Sequence, residues 1–201
     1  AVDDLIAIHG GNEIFTSRLE KLFTESSEIT GDNVSADITG LIGQYAHGNE
    51  PSHHIAYMFN HANQPWRTQY WARHIMDTQY NTTPNGLSGN EDCGQMSAWY
   101  VLSSIGLYPM NPASGEYERG RPILEKSTIK LPENKTFMIE AEYVSHTNFY
   151  IQSATLNGKP FTKTTLSHQD ILKGGTLHFV MGNKPNKNWG IKNKAQQLTK
   201  K

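Results

Sequence analysis

Apolar positions recur every three or four residues through the first half of the chain and every second residue from about Leu124 onward. Residues 2–9 (VDDLIAIH) read as a short helix halted by Gly10-Gly11. Asn12 is placed to cap the next helix, in which Phe15, Leu19, Leu22 and Phe23 share one face. A polar, turn-rich stretch over 26–37 leads to a short helical segment over 39–46. Pro51 excludes Glu50 from the helical region and suits a first helical turn. Ile55, Met58, Phe59 and Ala62 then follow at helical offsets. Asn63-Gln64-Pro65 opens another helix, with Trp66/Tyr70 and Trp71/Ile75 as pairs one turn apart. After a loop over 81–90, a helix is predicted from about Gly94 to Gly106, ended by Leu107-Tyr108-Pro109. It is apolar nearly all round and is expected to be buried. Strands are predicted over 128–131, 137–143, 150–156 and 176–180, and Leu156-Asn157-Gly158-Lys159 is a hairpin turn. The pattern is that of an α+β protein: a helical half over 1–112, an antiparallel β domain over 113–190, and a basic tail over 191–201 expected to be disordered. A helical pattern already under way at residue 2 suggests further polypeptide upstream.

Composition narrows the chemistry. A net charge of −1, from 18 basic and 19 acidic residues, gives no reason to expect nucleic acid or an anionic membrane as partner. No window reaches the roughly 18 apolar residues of a membrane span. No signal peptide opens the chain, as expected of a protein that is not exported, or of a mature or truncated product. Cys93 is the one cysteine, which excludes an internal disulfide and CxxC-type zinc sites. Its acidic neighbours argue against a reactive thiolate.

Three carboxylates stand in loops just before helices: Glu50, Glu91 and Asp92. Such a position favours the ionised form, which suits a general base or a hard-metal ligand. Asp92-x-x-Gln95 equally fits a capping box, so Asp92 is either a structural cap or a base. Glu91 is expected to be solvated or to support its neighbour. His47, His53, His54 and His61 crowd one region and read by default as surface or packing residues. No HExxH, GxSxG or phosphate-binding loop is present. Asn49, Glu50 and loop carbonyls offer oxygens, which suit calcium, whereas the histidines would suit zinc. Trp66, Trp71, Trp99 and the tyrosines are either core or a sugar-stacking floor.

The stretches HGNEPSHHIAYMFN, QPWRTQYWARHIM, GLSGNEDCGQMSAWYVLSSIGLYPMNP and NFYIQSATLNGKPF, with MGNKPNKNWG near the end, resemble family 92 glycoside hydrolases. These are calcium-dependent exo-α-mannosidases of bacteria that act with inversion. The resemblance runs from residue 1 to about 190 and implies a C-terminal portion of a larger enzyme. The helical half would be the closing helices of an (α/α)6 barrel and the β half its accessory sheet domain. It implies Asp92 as general base, with Asn90 where some relatives carry a second acid. Asn49 and Glu50 would serve the calcium ion and Glu50 also the sugar, and His53 and His54 would contact the sugar. The substrate would be a mannose-containing glycan, α-1,2-linked, met in the periplasm, at the cell surface or outside the cell. The general acid, a glutamate in a motif resembling EGNAWQY, is not in this sequence and would belong to the missing N-terminal part. The chain alone is then expected to be inactive, and its incomplete toroid to oligomerise through exposed apolar faces. Two other readings stay open: a carbohydrate-binding or structural β module, and a free-standing metal hydrolase.

Overall fold

A computed structural model describes residues 2–191; the tail expected to be disordered lies outside them but for Ile191. The chain opens with α1 (Val2–Ile8) and α2 (Asn12–Thr24). Gly11, not Asn12, holds the cap position of α2, and no side chain caps it. Phe15, Leu19 and Phe23 turn inward as their spacing predicts. Phe23 stacks on Trp71 at 4.5 Å and packs on Tyr45 and Phe59, which seeds the helical core.

The segment predicted to be helical over 39–46 is instead a hairpin of β1 (Leu41–Ile42) and β2 (Tyr45–Ala46). Gly43 has φ +60° in its turn, and a Cβ there would meet the Leu22 carbonyl at 2.6 Å. A left-handed glycine pressed on the end of α2 makes the turn and forbids a helix. Asn49 is the extended residue, and Glu50 already belongs to a 3-10 turn, Glu50–Ser52, so the expectation that Pro51 keeps Glu50 out of a helical turn does not hold. A second 3-10 turn, Ile55–Tyr57, runs into α3 (Met58–His61), and α4 (Pro65–Gln79) follows with Pro65 in its first turn.

After a third 3-10 turn, Asp92–Gly94, helix α5 spans Gln95–Ser104. It is buried on one side only: Met96, Trp99 and Ser103 face inward, while Ala98 is exposed and Val101 is 58% exposed. The chain does not end this helix with a loop. Gly106 (φ +84°) turns it straight into β3 (Ile105–Tyr108), which pairs with β4 (Glu116–Pro122).

The β half is built on β5 (Lys126–Lys130), β6 (Thr136–Glu142), β7 (Tyr150–Leu156), β8 (Lys159–Pro160), β9 (Thr165–Ser167) and β10 (Gly175–Gly182), with a short helix, α6 (His168–Leu172), before β10. One sheet has the order β5-β6-β10-β7-β8 and is antiparallel except for the β6–β10 pair. A second sheet, β3-β4-β9, is antiparallel throughout. Asn157 and Gly158, both at positive φ, make the two-residue turn between β7 and β8. Phe137, Ile139, Ile151, Leu177 and Phe179 line the core of the large sheet, at the alternate positions its strands require.

Polar side chains sew the halves together. Gln69 of α4 accepts the Ile151 N–H at 2.9 Å. Asn60 of α3 donates to Glu118 at 2.8 Å and to the Arg119 carbonyl at 3.0 Å. Within the helical half, Tyr57 and Ser103 share a hydrogen bond of 2.7 Å. The Gln69 and Asn60 bonds reach strands β7 and β4, so α4 and α3 are anchored on the β half.

Phe179 is fully buried, so Phe179→Ala is expected to cost about 3–5 kcal/mol in urea denaturation. Val101→Ser should change stability by no more than about 0.5 kcal/mol in this chain. A large loss for Val101→Ser would show that the outer face of α5 is covered in solution.

Candidate active site

Two loops meet at glycines. A Cβ on Gly89 would lie 2.2 Å from the Gly48 carbonyl oxygen, and one on Gly48 would lie 2.9 Å from the Gly89 nitrogen. This backbone contact brings the loop of Asn49 and Glu50 against that of Asn90, Glu91 and Asp92. Across it, the Glu50 carboxylate accepts the Asp92 backbone N–H at 3.0 Å, over a separation of 42 residues.

The turn between them is strained. Glu91 (φ +58°) and Cys93 (φ +52°) are both left-handed, followed by Gly94 (φ +77°). Such a conformation costs roughly 1–2 kcal/mol for each residue bearing a Cβ. Glu91 offsets it: its carboxylate accepts the Ser97 N–H at 3.1 and 3.2 Å and the Ser97 hydroxyl at 2.9 Å. Glu91, rather than Asp92, therefore satisfies the first turn of α5. The capping box expected of Asp92 and Gln95 does not form. The Asp92 side chain is exposed, and no described residue hydrogen-bonds its carboxylate. A carboxylate without protein donors remains able to accept a proton from water. Asn90 is exposed beside it, and Cys93 is exposed too.

Beneath the loops lies a buried set of rings. His47 is fully buried, with Nδ1 2.8 Å from the Tyr45 hydroxyl and Nε2 2.7 Å from that of Tyr80. Tyr80 donates its own proton to the Met96 carbonyl at 3.0 Å, so His47 carries its hydrogen on Nε2. Burial holds the His47 pKa down, from 6.5 to about 3. The His53 ring stacks on His47 at 4.6 Å. His53 donates from Nε2 to the His47 carbonyl and accepts the Gln95 amide on Nδ1, while its own carbonyl accepts the Trp99 indole N–H. Burial lowers its pKa as well.

His53, expected to contact a sugar, lies in the interior of this chain. It is 1% exposed and both ring nitrogens are engaged, so its part is to join the Glu50 loop to α5. His54 lies elsewhere, lining a cavity of about 770 Å³ with Met58, His61, Met110 and Glu118, to which neither Glu50 nor Asp92 contributes. Trp71 and Trp99 are core residues, whereas Trp66 is half-buried beneath the Lys187 ammonium. Gln95, Tyr80 and the capping role of Glu91 were missed by sequence reasoning; no residue spacing signals them.

Asn49 and Glu50 suit a hard cation in kind. One Glu50 oxygen is taken by Asp92, and the other has no hydrogen bond among the described residues. They fall short in number, since calcium takes roughly six to eight oxygens. Among the described residues, no group of three or more His, Cys, Asp or Glu is placed to hold a metal.

The buried imidazole makes a pH prediction. Below about pH 6.5 the unfolded chain protonates His47, whereas the folded one does not until about pH 3. Stability is therefore complete above pH 6.5 and falls as pH drops toward 3, by at most about 1.4 kcal/mol per pH unit. In urea denaturation, the advantage of the parent over His47→Gln should shrink by about 1–2 kcal/mol between pH 7 and pH 5. Parallel pH profiles would contradict a neutral buried His47.

Comparison with known proteins places the chain in a family. Residues 1–183 match the glycosyl hydrolase family 92 catalytic domain. An uncharacterized secreted glycosidase of Arthroderma benhamiae is 36% identical over 146 residues, which are 71% of this chain and 19% of that protein. The family GH92 alpha-mannosidase BT3965 of Bacteroides thetaiotaomicron, solved in complex with mannoimidazole, superposes with a TM-score of 0.84 at 44% identity. That match covers 90% of this chain and 24% of the mannosidase. The inverting mannosidase BT2199 of the same organism gives 0.81 at 36% identity, covering 95% and 27%. This chain thus spans about a fifth to a quarter of these relatives' lengths. With most of its length matched by one domain family and its fold shared with that family's mannosidases, the chain belongs to glycosyl hydrolase family 92.

Proposed function

We propose that this chain is the part of an exo-acting α-mannosidase that supplies the general base, and that the whole enzyme removes terminal α-1,2-linked mannose from glycans with inversion. The observation that carries the reading is the Asp92 carboxylate, exposed and unbonded on a turn pinned by Glu50 and Glu91. Inversion places a base and an acid roughly 6.5–9.5 Å apart, with room for a water between them and the sugar. Asp92 would take the proton of that water as it attacks the anomeric carbon. Asn90 carries no charge at neutral pH, so it would orient the water while Asp92 alone accepts the proton. The acid that protonates the leaving oxygen would come from polypeptide beyond this chain.

Asn49 and Glu50 would lend oxygens to a calcium ion, whose remaining ligands would be sugar hydroxyls, waters and residues from elsewhere in the enzyme. Bound there, the ion would hold the mannose ring by its hydroxyls. The exposed outer face of α5, with Ala98 and Val101, would pack against the remainder of the barrel. The secreted relative supports export as the setting. No described helix is long and apolar enough to cross a membrane.

In the complete enzyme, Asp92→Asn is expected to lower kcat on an α-1,2-mannobiose by at least about 100-fold with little change in melting temperature. A comparable loss of stability with kcat retained would leave Asp92 a structural residue. Chelation should abolish mannose release, and calcium, not zinc, should restore it; full activity in excess chelator would remove the metal from the account.

A further inference from the structure

The cavity of about 770 Å³ has two unlike walls. One is polar, and strand register builds it. In the β4–β9 pair, Glu116 lies opposite Ser167 and Glu118 opposite Thr165. Opposed residues, and residues two apart on one strand, point to the same face, so these four side chains line the cavity together. Lys163, two residues before Thr165, extends that face. The other wall is apolar. Val2 and Leu5 stand about one turn apart on α1, and Met58 of α3 joins them.

Glu118 is 5% exposed and held in place: one carboxylate oxygen accepts the Asn60 amide and the other the His61 ring, both at 2.8 Å. Each oxygen keeps a lone pair beyond those bonds. The Glu116 carboxylate and the Lys163 ammonium are exposed and have no hydrogen bond or ion pair among the described residues. The volume lies within the roughly 300–1,000 Å³ of small-molecule sites. An apolar guest would cover Glu116 and Glu118 without pairing them, at about 1–3 kcal/mol or more for each charged group left unsatisfied. A compact ion would leave the α1 and α3 side chains facing water. A pyranose ring meets both walls. Its rim hydroxyls pair with carboxylates and an ammonium, and its C–H face covers apolar side chains.

We propose that the cavity between α1, α3 and the β4–β9 face is a second, non-catalytic site for a pyranose sugar, held at its hydroxyls by Glu116, Glu118 and Lys163 and at its carbon face by Leu5 and Met58. Neither Glu50 nor Asp92 lines it, and it does not depend on the role given to Asp92. The test is equilibrium dialysis of the complete enzyme against labelled mannose, for the parent and for the double variant Glu116→Ala/Lys163→Ala. Both positions are exposed, so the variant is expected to fold. The parent should bind an additional sugar that the variant binds at least about tenfold more weakly, with kcat on an α-1,2-mannobiose unchanged. Because the readout is the difference between parent and variant, a failure of Asp92 as base leaves it intact. Crystals of the complete enzyme grown with mannose supply a second readout: a ring in the cavity, with a hydroxyl within about 3.2 Å of a Glu118 oxygen. Equal binding by parent and variant, or polypeptide from elsewhere in the enzyme filling the cavity, overturns the proposal.

Discussion

A single hydrogen bond ties the candidate site together: the Glu50 carboxylate on the backbone N–H of Asp92. It joins two loops that share no secondary structure, at the place where Gly48 and Gly89 let their backbones touch. The charged acceptor makes it stronger than a neutral hydrogen bond. It leaves the Asp92 side chain uncommitted, because Glu50 takes the backbone group and Glu91 takes the start of α5. Three acids in two loops thereby acquire different tasks. Glu91 and one oxygen of Glu50 hold the turn, and Asp92 keeps its own oxygens for solvent.

Holding that turn needs a firm floor, and the His47–His53–Tyr80–Trp99 cluster is one. Each buried polar atom of the two imidazoles has a partner, which fixes their tautomers and their ring planes. A fully satisfied polar network in a low-dielectric interior is stiff, and every member is costly to displace. The floor is in turn carried by α4 and α5: Gln69 ties α4 to the β half, Asn60 does the same for α3, and Tyr57 bonds Ser103 of α5.

Much of the fold was legible in the residues. The stripe of α2 and the alternation of β6 and β10 each bury a single face, which is what periodicity reports. Elsewhere the signal fails for physical reasons. Strand β4 reads EYERGRP and looks like a surface loop, yet it is central to the small sheet and buries two arginines against rings. Strands β1 and β2 have two residues each, too few to show any period. The end of α5 turns on Gly106 at a left-handed φ, which composition alone cannot tell from a helical glycine. At the site, Glu50 and Asp92 stood out as acids before helices, but their mutual contact is a tertiary fact. Gln95 made a capping box plausible for Asp92. The chain uses Ser97 and Glu91 instead, a reach opened by the left-handed residues between them. His53 illustrates the opposite limit: beside a polar loop it reads as a ligand contact, and it is buried.

The central claim is that Asp92 faces the reacting water. It is tested most directly by a crystal structure of the complete enzyme with a mannose-shaped transition-state mimic. The account predicts a water held by an Asp92 carboxylate oxygen at about 2.6–3.2 Å, on the face of the ring opposite the leaving group. A water held there by Glu91 or Glu50, with Asp92 turned away from the sugar, would contradict it.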